Sequence, residues 1–154
     1  MSNAVSNSIE KQVVVQAPVG FVWRALVDYR EFGEWFRVKL EKPFVEGETT
    51  QGQITYPGYE HVRMKARVDA IEPMKRFAFS WHPGAVDPNV DYTEEPLTLV
   101  EFLLEELDSG TTLTVIESGF DAISPDRREE AYRMNEGGWE EQVKNIRDYV
   151  ESNG

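Results

Sequence analysis

Between residues 9 and 150 the spacing of apolar and polar side chains changes period three times, and each change marks a change of element. Ile9 to Gln16 (IEKQVVVQ) is rich in β-branched residues and runs into Ala17-Pro18, which suits a strand that stops where proline begins the next element. Pro18 fits a first helical position, and Val19, Val22, Trp23, Leu26 and Val27 then return at helical spacing on one face. Asp28 is placed to cap a second short helix in which Phe32, Trp35 and Phe36 share a side. After Phe36 the period becomes two. An irregular stretch, 37–45, and a turn at Glu46-Gly47 precede a strand from Gln51 to Tyr56, and Pro57-Gly58 then turns the chain. In His61 to Ile71, Val62, Met64, Ala66, Val68 and Ala70 oppose Arg63, Lys65, Arg67 and Asp69, which predicts one dry face. Pro73 ends that strand, and Arg76 to Trp81 sets Phe77, Phe79 and Trp81 on one side.

His82 to Pro96 has three prolines, one glycine and four acids without a period, and reads as a long exposed loop of the kind that borders binding sites. Leu97 to Leu107 and Thr111 to Phe120 flank Asp108-Ser109-Gly110 and form a hairpin. Ser124, Pro125 and Asp126 open a helix that continues towards Val150, roughly seven turns. Its stripe is Tyr132, Asn135, Trp139, Val143, Ile146 and Val150, and that stripe is expected to face the sheet. Gly137-Gly138 interrupts it. Each glycine costs ~1 kcal/mol relative to alanine in a helix interior, so the pattern calls for a kink or a close sheet contact there. Strands and helices do not alternate, so the predicted class is α+β: an antiparallel sheet of about six to seven strands and a long C-terminal helix.

Composition narrows the partners. A hydrophobic share of 40% with 12% aromatics supplies a real core, and the 154 residues fit one domain, read as 9–152 behind a disordered leader or tag at 1–8. A net charge of −12 repels phosphate backbones and anionic membranes, so nucleic acid is excluded as a partner. The leader lacks the apolar run of a signal peptide and no stretch approaches a membrane span, so no membrane insertion and a cytoplasmic location are expected. There is no cysteine, which removes disulfides, thiolate metal sites and cysteine nucleophiles. His61 and His82 lie on different elements, out of phase with the inferred interior, so no metal and no Ser-His-Asp arrangement is predicted. Without a phosphate-cradling glycine loop, no cofactor is predicted either.

The strings APVGFVWRALVD, EWF, FAFSW, GTTLTVIESGF and GGWEEQ, in this order of elements, resemble the START-like SRPBCC superfamily and, within it, the family named for activators of the heat-shock-protein-90 ATPase. The resemblance covers about Ile9 to Val150 and implies a helix-grip fold, in which a curved sheet wraps the last helix and leaves an internal cavity near the two short helices. It also implies binding of lipids, polyketides, hormones or flavonoids, with cyclisation in a few members.

On that frame Trp35 and Phe36 would line the cavity mouth and stack on a ring-bearing ligand. For each of these two alone, ordinary core packing is the commoner role of an aromatic at helical spacing, while Tyr56, Met64, Phe79 and Trp81 have the alternation to face the interior, where a thioether and ring faces suit an apolar pocket. Leu113, Val115 and Glu117 share one side of their strand, so Glu117 either enters the cavity or twists out to solvent. A buried carboxylate needs a donor, a water or a ligand group. Asn135, beside Met134, is placed to orient a ligand through its amide or to bond the sheet, and Trp139 to anchor the core and floor the pocket. The expected function is non-enzymatic binding of a small hydrophobic molecule. The alternatives are a polyketide cyclase or hydrolase using the cavity carboxylate, and a module that contacts a chaperone or another protein.

Overall fold

The computed structural model describes residues 7–87 and 89–153. Strand β1 (Ser8–Val15) leads into helices α1 (Val19–Val27) and α2 (Tyr29–Phe36). Strands β2 (Val38–Leu40), β3 (Thr49–Ile54), β4 (Arg63–Glu72), β5 (Arg76–Trp81), β6 (Thr98–Leu107) and β7 (Gly110–Ser118) follow. A short 3-10 turn (Phe120–Ala122) then precedes the 29-residue helix α3 (Pro125–Asn153). The seven strands form one sheet in the order β1-β7-β6-β5-β4-β3-β2, antiparallel throughout. This is the α+β helix-grip arrangement.

Local chemistry sets the junctions. The Asp28 carboxylate accepts from the N–H groups of Arg30 (2.9 Å) and Glu31 (3.4 Å), so one residue ends α1 and caps α2. Arg37, with φ of 68°, ends α2. Asp108 and Ser109 make the two-residue connection from β6 to β7, whose register closes at Leu107↔Gly110. Pairing of β1 with β7, from Ser8↔Ser118 to Val15↔Thr111, brings the first strand beside the last. Between Val68 and Ala70 the β4–β5 register slips, an irregularity of the kind that bends a sheet.

The sheet's inner face carries Ile9, Val15, Met64, Val68, Phe77, Phe79, Val100, Phe102, Leu113 and Val115, all buried. Against it pack Val22 and Leu26 of α1, Phe32 and Trp35 of α2, and Trp139, Val143, Ile146 and Val150 of α3. Side chains of this size contribute ~1.5–3 kcal/mol each when fully buried, which is ample to fix the register. Helix α3 lies along β1 and against α2, with lighter contact to α1 and β7. It therefore covers one side of the sheet more closely than the β3–β4 side.

Several details differ from expectation. The pattern placed ordered chain from residue 9, but Ser8 already pairs with Ser118, and the Asn7 carbonyl accepts from the N–H groups of Gly119 and Phe120 (both 3.2 Å). The remainder of the expected leader, 1–6, lies outside the described residues. Strand β3 spans Thr49–Ile54 and stops short of Tyr56. The close sheet contact expected at Gly137-Gly138 is absent, since a Cβ at either position would meet nothing within 4 Å. Among the described residues no helix is long and apolar enough to cross a membrane.

Candidate functional site

Strands β4 and β5 pair along only part of β4. Their pairing runs no further than Arg67↔Ser80, while β5 continues to Trp81 along β6. Arg63 to Ala66 thus stand opposite the segment 81–86 with no ladder between them. A cavity of about 420 Å³ occupies this gap and extends under α3. Along β4, Val62 and Val68 bond towards the β3 side, so alternation directs the main-chain groups of Arg63 and Lys65 into the gap.

Three walls enclose the space. Ile54, Val62, Arg63, Met64 and Lys65 form the strand wall, with Tyr56 and Tyr59 at its edge, and Phe36 closes the end of α2. Trp81, His82, Gly84, Ala85 and Val86 form the loop wall, and Met134, Asn135, Gly138, Glu141, Gln142 and Asn145 the helix wall. Gly138 explains itself here: a side chain at this position would project into the cavity, and the helix gives up some stability to leave the space open.

Behind the wall sits Glu117, completely buried on the inner face of β7. Its Oε1 accepts from Trp139 Nε1 (2.8 Å) and Asn135 Nδ2 (2.9 Å). Its Oε2 accepts from Trp81 Nε1 (2.8 Å), Thr98 Oγ1 (2.5 Å) and Asn135 Nδ2 (3.1 Å). Four neutral donors therefore satisfy a carboxylate that forms no ion pair among the described residues, and such pairing is what lets a buried polar group be tolerated. The same bonds fix two indole rings, whose centroids lie 5.8 Å apart.

The loop wall is pinned to α3 by Arg127. Its guanidinium donates to the Pro83 carbonyl (2.6 Å) and the Gly84 carbonyl (3.3 Å), pairs with both oxygens of Glu95, and lies 4.8 Å from the Tyr92 ring. Gly84, at φ of +60°, rests against Ala131, where a Cβ would come within 3.2 Å of backbone. His82 lies in this wall with its Nδ1 buried and unpartnered among the described residues. Burial pushes its imidazole below the ordinary histidine range; Glu95 and Asp91 oppose the shift, and Lys65 and Arg127 add to it.

The predicted residues separate into three groups. Phe36, Met64, Trp81, Met134 and Asn135 line the cavity, and so does Tyr56, although it is 46% exposed at the rim because β3 ends before it. Trp139 touches only a small adjoining recess beside Phe36 and Trp81. Trp35, Phe79 and Glu117 do not reach the space. Trp35 turns into the core and donates its indole N–H to the Ala25 carbonyl (2.8 Å), Phe79 lies beneath Trp81, and Glu117 is sealed by its donors. His82, read as out of phase, is in the wall because the strand period ends with Trp81 and the chain turns inward. Gln142 and Asn145, one and two turns beyond Gly138, were missed because polar residues on a helix read as its solvated face.

Comparison with known proteins agrees with the fold. The chain is 26% identical to DynU16, a protein in the dynemicin biosynthetic locus, with a TM-score of 0.74 over 97% of the chain. It spans 49% of that protein's length. A protein from Mesorhizobium loti, MLL2253, has a TM-score of 0.75 at 22% identity, covering 96% of this chain and 98% of its own. CalU16 from Micromonospora echinospora has a TM-score of 0.64 at 23% identity, covering 93% of this chain and 75% of its own. No curated protein matches the chain. The family model described as Activator of Hsp90 ATPase homolog 1-like protein matches residues 16–151, and the chain belongs to that family, within the SRPBCC superfamily.

Proposed function

We propose that this protein binds a small, largely apolar, ring-bearing molecule in the cavity between α3 and the β3–β5 side of the sheet, and does so without chemistry on it. The observation that carries this reading is the unfilled space of about 420 Å³, walled by Phe36, Ile54, Met64, Trp81 and Val86. Pockets for small organic ligands have this size and this mixture of rings, aliphatic groups and a few polar atoms. Placement of Glu117 favours binding over an acid–base reaction. A general acid or base must reach the proton it moves, and this carboxylate is enclosed by its own hydrogen-bond donors. Similarity to a protein of a biosynthetic locus fits a small organic guest.

Native mass spectrometry of the freshly purified protein, with extraction of what it carries, tests the proposal. A reproducible adduct of an apolar compound is expected. The Gly138→Leu variant, whose side chain projects into the cavity, is expected to lose that adduct while retaining its helical circular dichroism. An adduct held equally well by Gly138→Leu would place binding elsewhere.

A further inference from the structure

The wall that α3 gives to the cavity carries three side-chain amides, and the bonds around them fix which end of each is held by the protein. Asn135 Nδ2 faces both oxygens of Glu117 at 2.9 and 3.1 Å. Gln142 Nε2 donates to the Phe36 carbonyl at 3.2 Å, and Asn145 Nδ2 donates to Gln142 Oε1 at 3.0 Å. An amide that commits N–H to the protein leaves its carbonyl oxygen for whatever lies in front of it. Among the described residues no donor reaches Asn135 Oδ1 or Asn145 Oδ1, and neither atom is enclosed.

This orientation does not invert freely. Trp81 and Trp139 possess only N–H donors, so each oxygen of Glu117 is already an acceptor, and turning the Asn135 oxygen towards them would set lone pairs against lone pairs. The Phe36 carbonyl likewise only accepts. Asn135 and Asn145 thus leave their oxygens unpaired beside the cavity, on the same helix wall as the Glu141 carboxylate, whereas the facing strand wall pairs apolar Ile54, Val62 and Met64 with the cationic side chains of Arg63 and Lys65.

We infer that the ligand carries hydrogen-bond donors, hydroxyl or N–H groups, along one edge of a flat ring system, with that edge turned to α3 and the ring face against Trp81. The inference deepens the carrier reading above and rests on it. A guest whose edge bears only carbonyl or ether oxygens would give up water and meet further acceptors. Glu117 is a positioning residue in this scheme: it touches no ligand and sets which end of the Asn135 amide does.

Isothermal titration with 2-naphthol and with its methyl ether, which has the same rings but no donor, provides the test. The natural protein is expected to bind the naphthol about three- to tenfold more tightly, the range for one hydrogen bond. In Asn135→Ala the acceptor is gone, and the two affinities should converge. In Glu117→Gln, which supplies an N–H that the Asn135 oxygen can turn to, the preference should fall or reverse. Equal affinities in the natural protein, or a preference that persists in both variants, would overturn the inference and leave the carrier reading standing. Failure of both compounds to bind, with the adduct also absent, would remove both.

Discussion

Glu117 accepts from the side chains of two tryptophans, an asparagine and a threonine, whose side-chain donors have no other acceptor among the described residues. Truncating it leaves those donors buried and unmatched. Glu117→Ala is therefore expected to cost about 3 kcal/mol or more, and Glu117→Gln, which keeps one carbonyl oxygen, about half as much. Urea unfolding of the three proteins checks the order, and equal midpoints for natural protein and Glu117→Ala would contradict it. His82 yields a prediction with a sign. Its imidazole, depressed by burial, takes up a proton less readily when folded than when unfolded. Stability should be complete above the ordinary histidine value of about 6.5, decline as pH falls below it, and level off once the folded form is also protonated. Urea midpoints measured at about pH 7.5 and about pH 5 should differ less in His82→Gln than in the natural protein. The exposed His61 serves as control, and an unchanged difference in His82→Gln would count against the reading.

At the scale of the element, α3 does two jobs that pull its sequence in different directions. One stripe, from Tyr132 through Trp139 to Val150, packs the core, and the neighbouring strip, Gly138 with Gln142 and Asn145, bounds the cavity. Gly137 is exposed, bounds nothing and leaves an added Cβ free. Gly137→Ala is accordingly expected to stabilise the protein by about 0.5–1 kcal/mol with binding unchanged. Gly138→Ala should give a similar gain and weaken binding, because its methyl occupies ligand space. Thermal melts paired with naphthol titrations separate the two, and a Gly137→Ala that loses affinity would show that the helix needs both glycines for its course. The 82–97 segment is the second element with divided duties. Among its described residues there is no ladder to β4, and Arg127 ties it to α3.

For the whole molecule, the architecture was legible because periodicity reports burial directly. Val62, Met64, Ala66 and Val68 alternate because their strand has one dry face, and Asp28 and the Asp108-Ser109 turn mark junctions by chemistry that few residues share. Glu117 was legible in part. Its phase with Leu113 and Val115 put it inside, but its partners lie on β5, β6 and α3, and no local pattern says that two indoles will converge on it. The cavity was legible least. Whether an inward residue meets another side chain or empty space depends on where β4 and β5 separate, and that is a property of pairing rather than of either strand. Trp35 and Phe79 have the same phase as Phe36 and Trp81, yet the former pair ends in the core and the latter on the cavity. Polar side chains on α3 misled for the converse reason, since Gln142 and Asn145 look like solvated surface until the helix is seen to stand away from β3 and β4.

The shared carboxylate beneath Trp81 and Trp139 also equips the molecule with a built-in optical probe. Both indole N–H groups are already committed, so a guest arriving on Trp81 changes the polarity around a chromophore that has no reason to rotate. A shift in emission on loading would then report occupancy itself. The remaining tryptophans, Trp23 and Trp35, are buried away from the cavity and supply a steady background against which to read it.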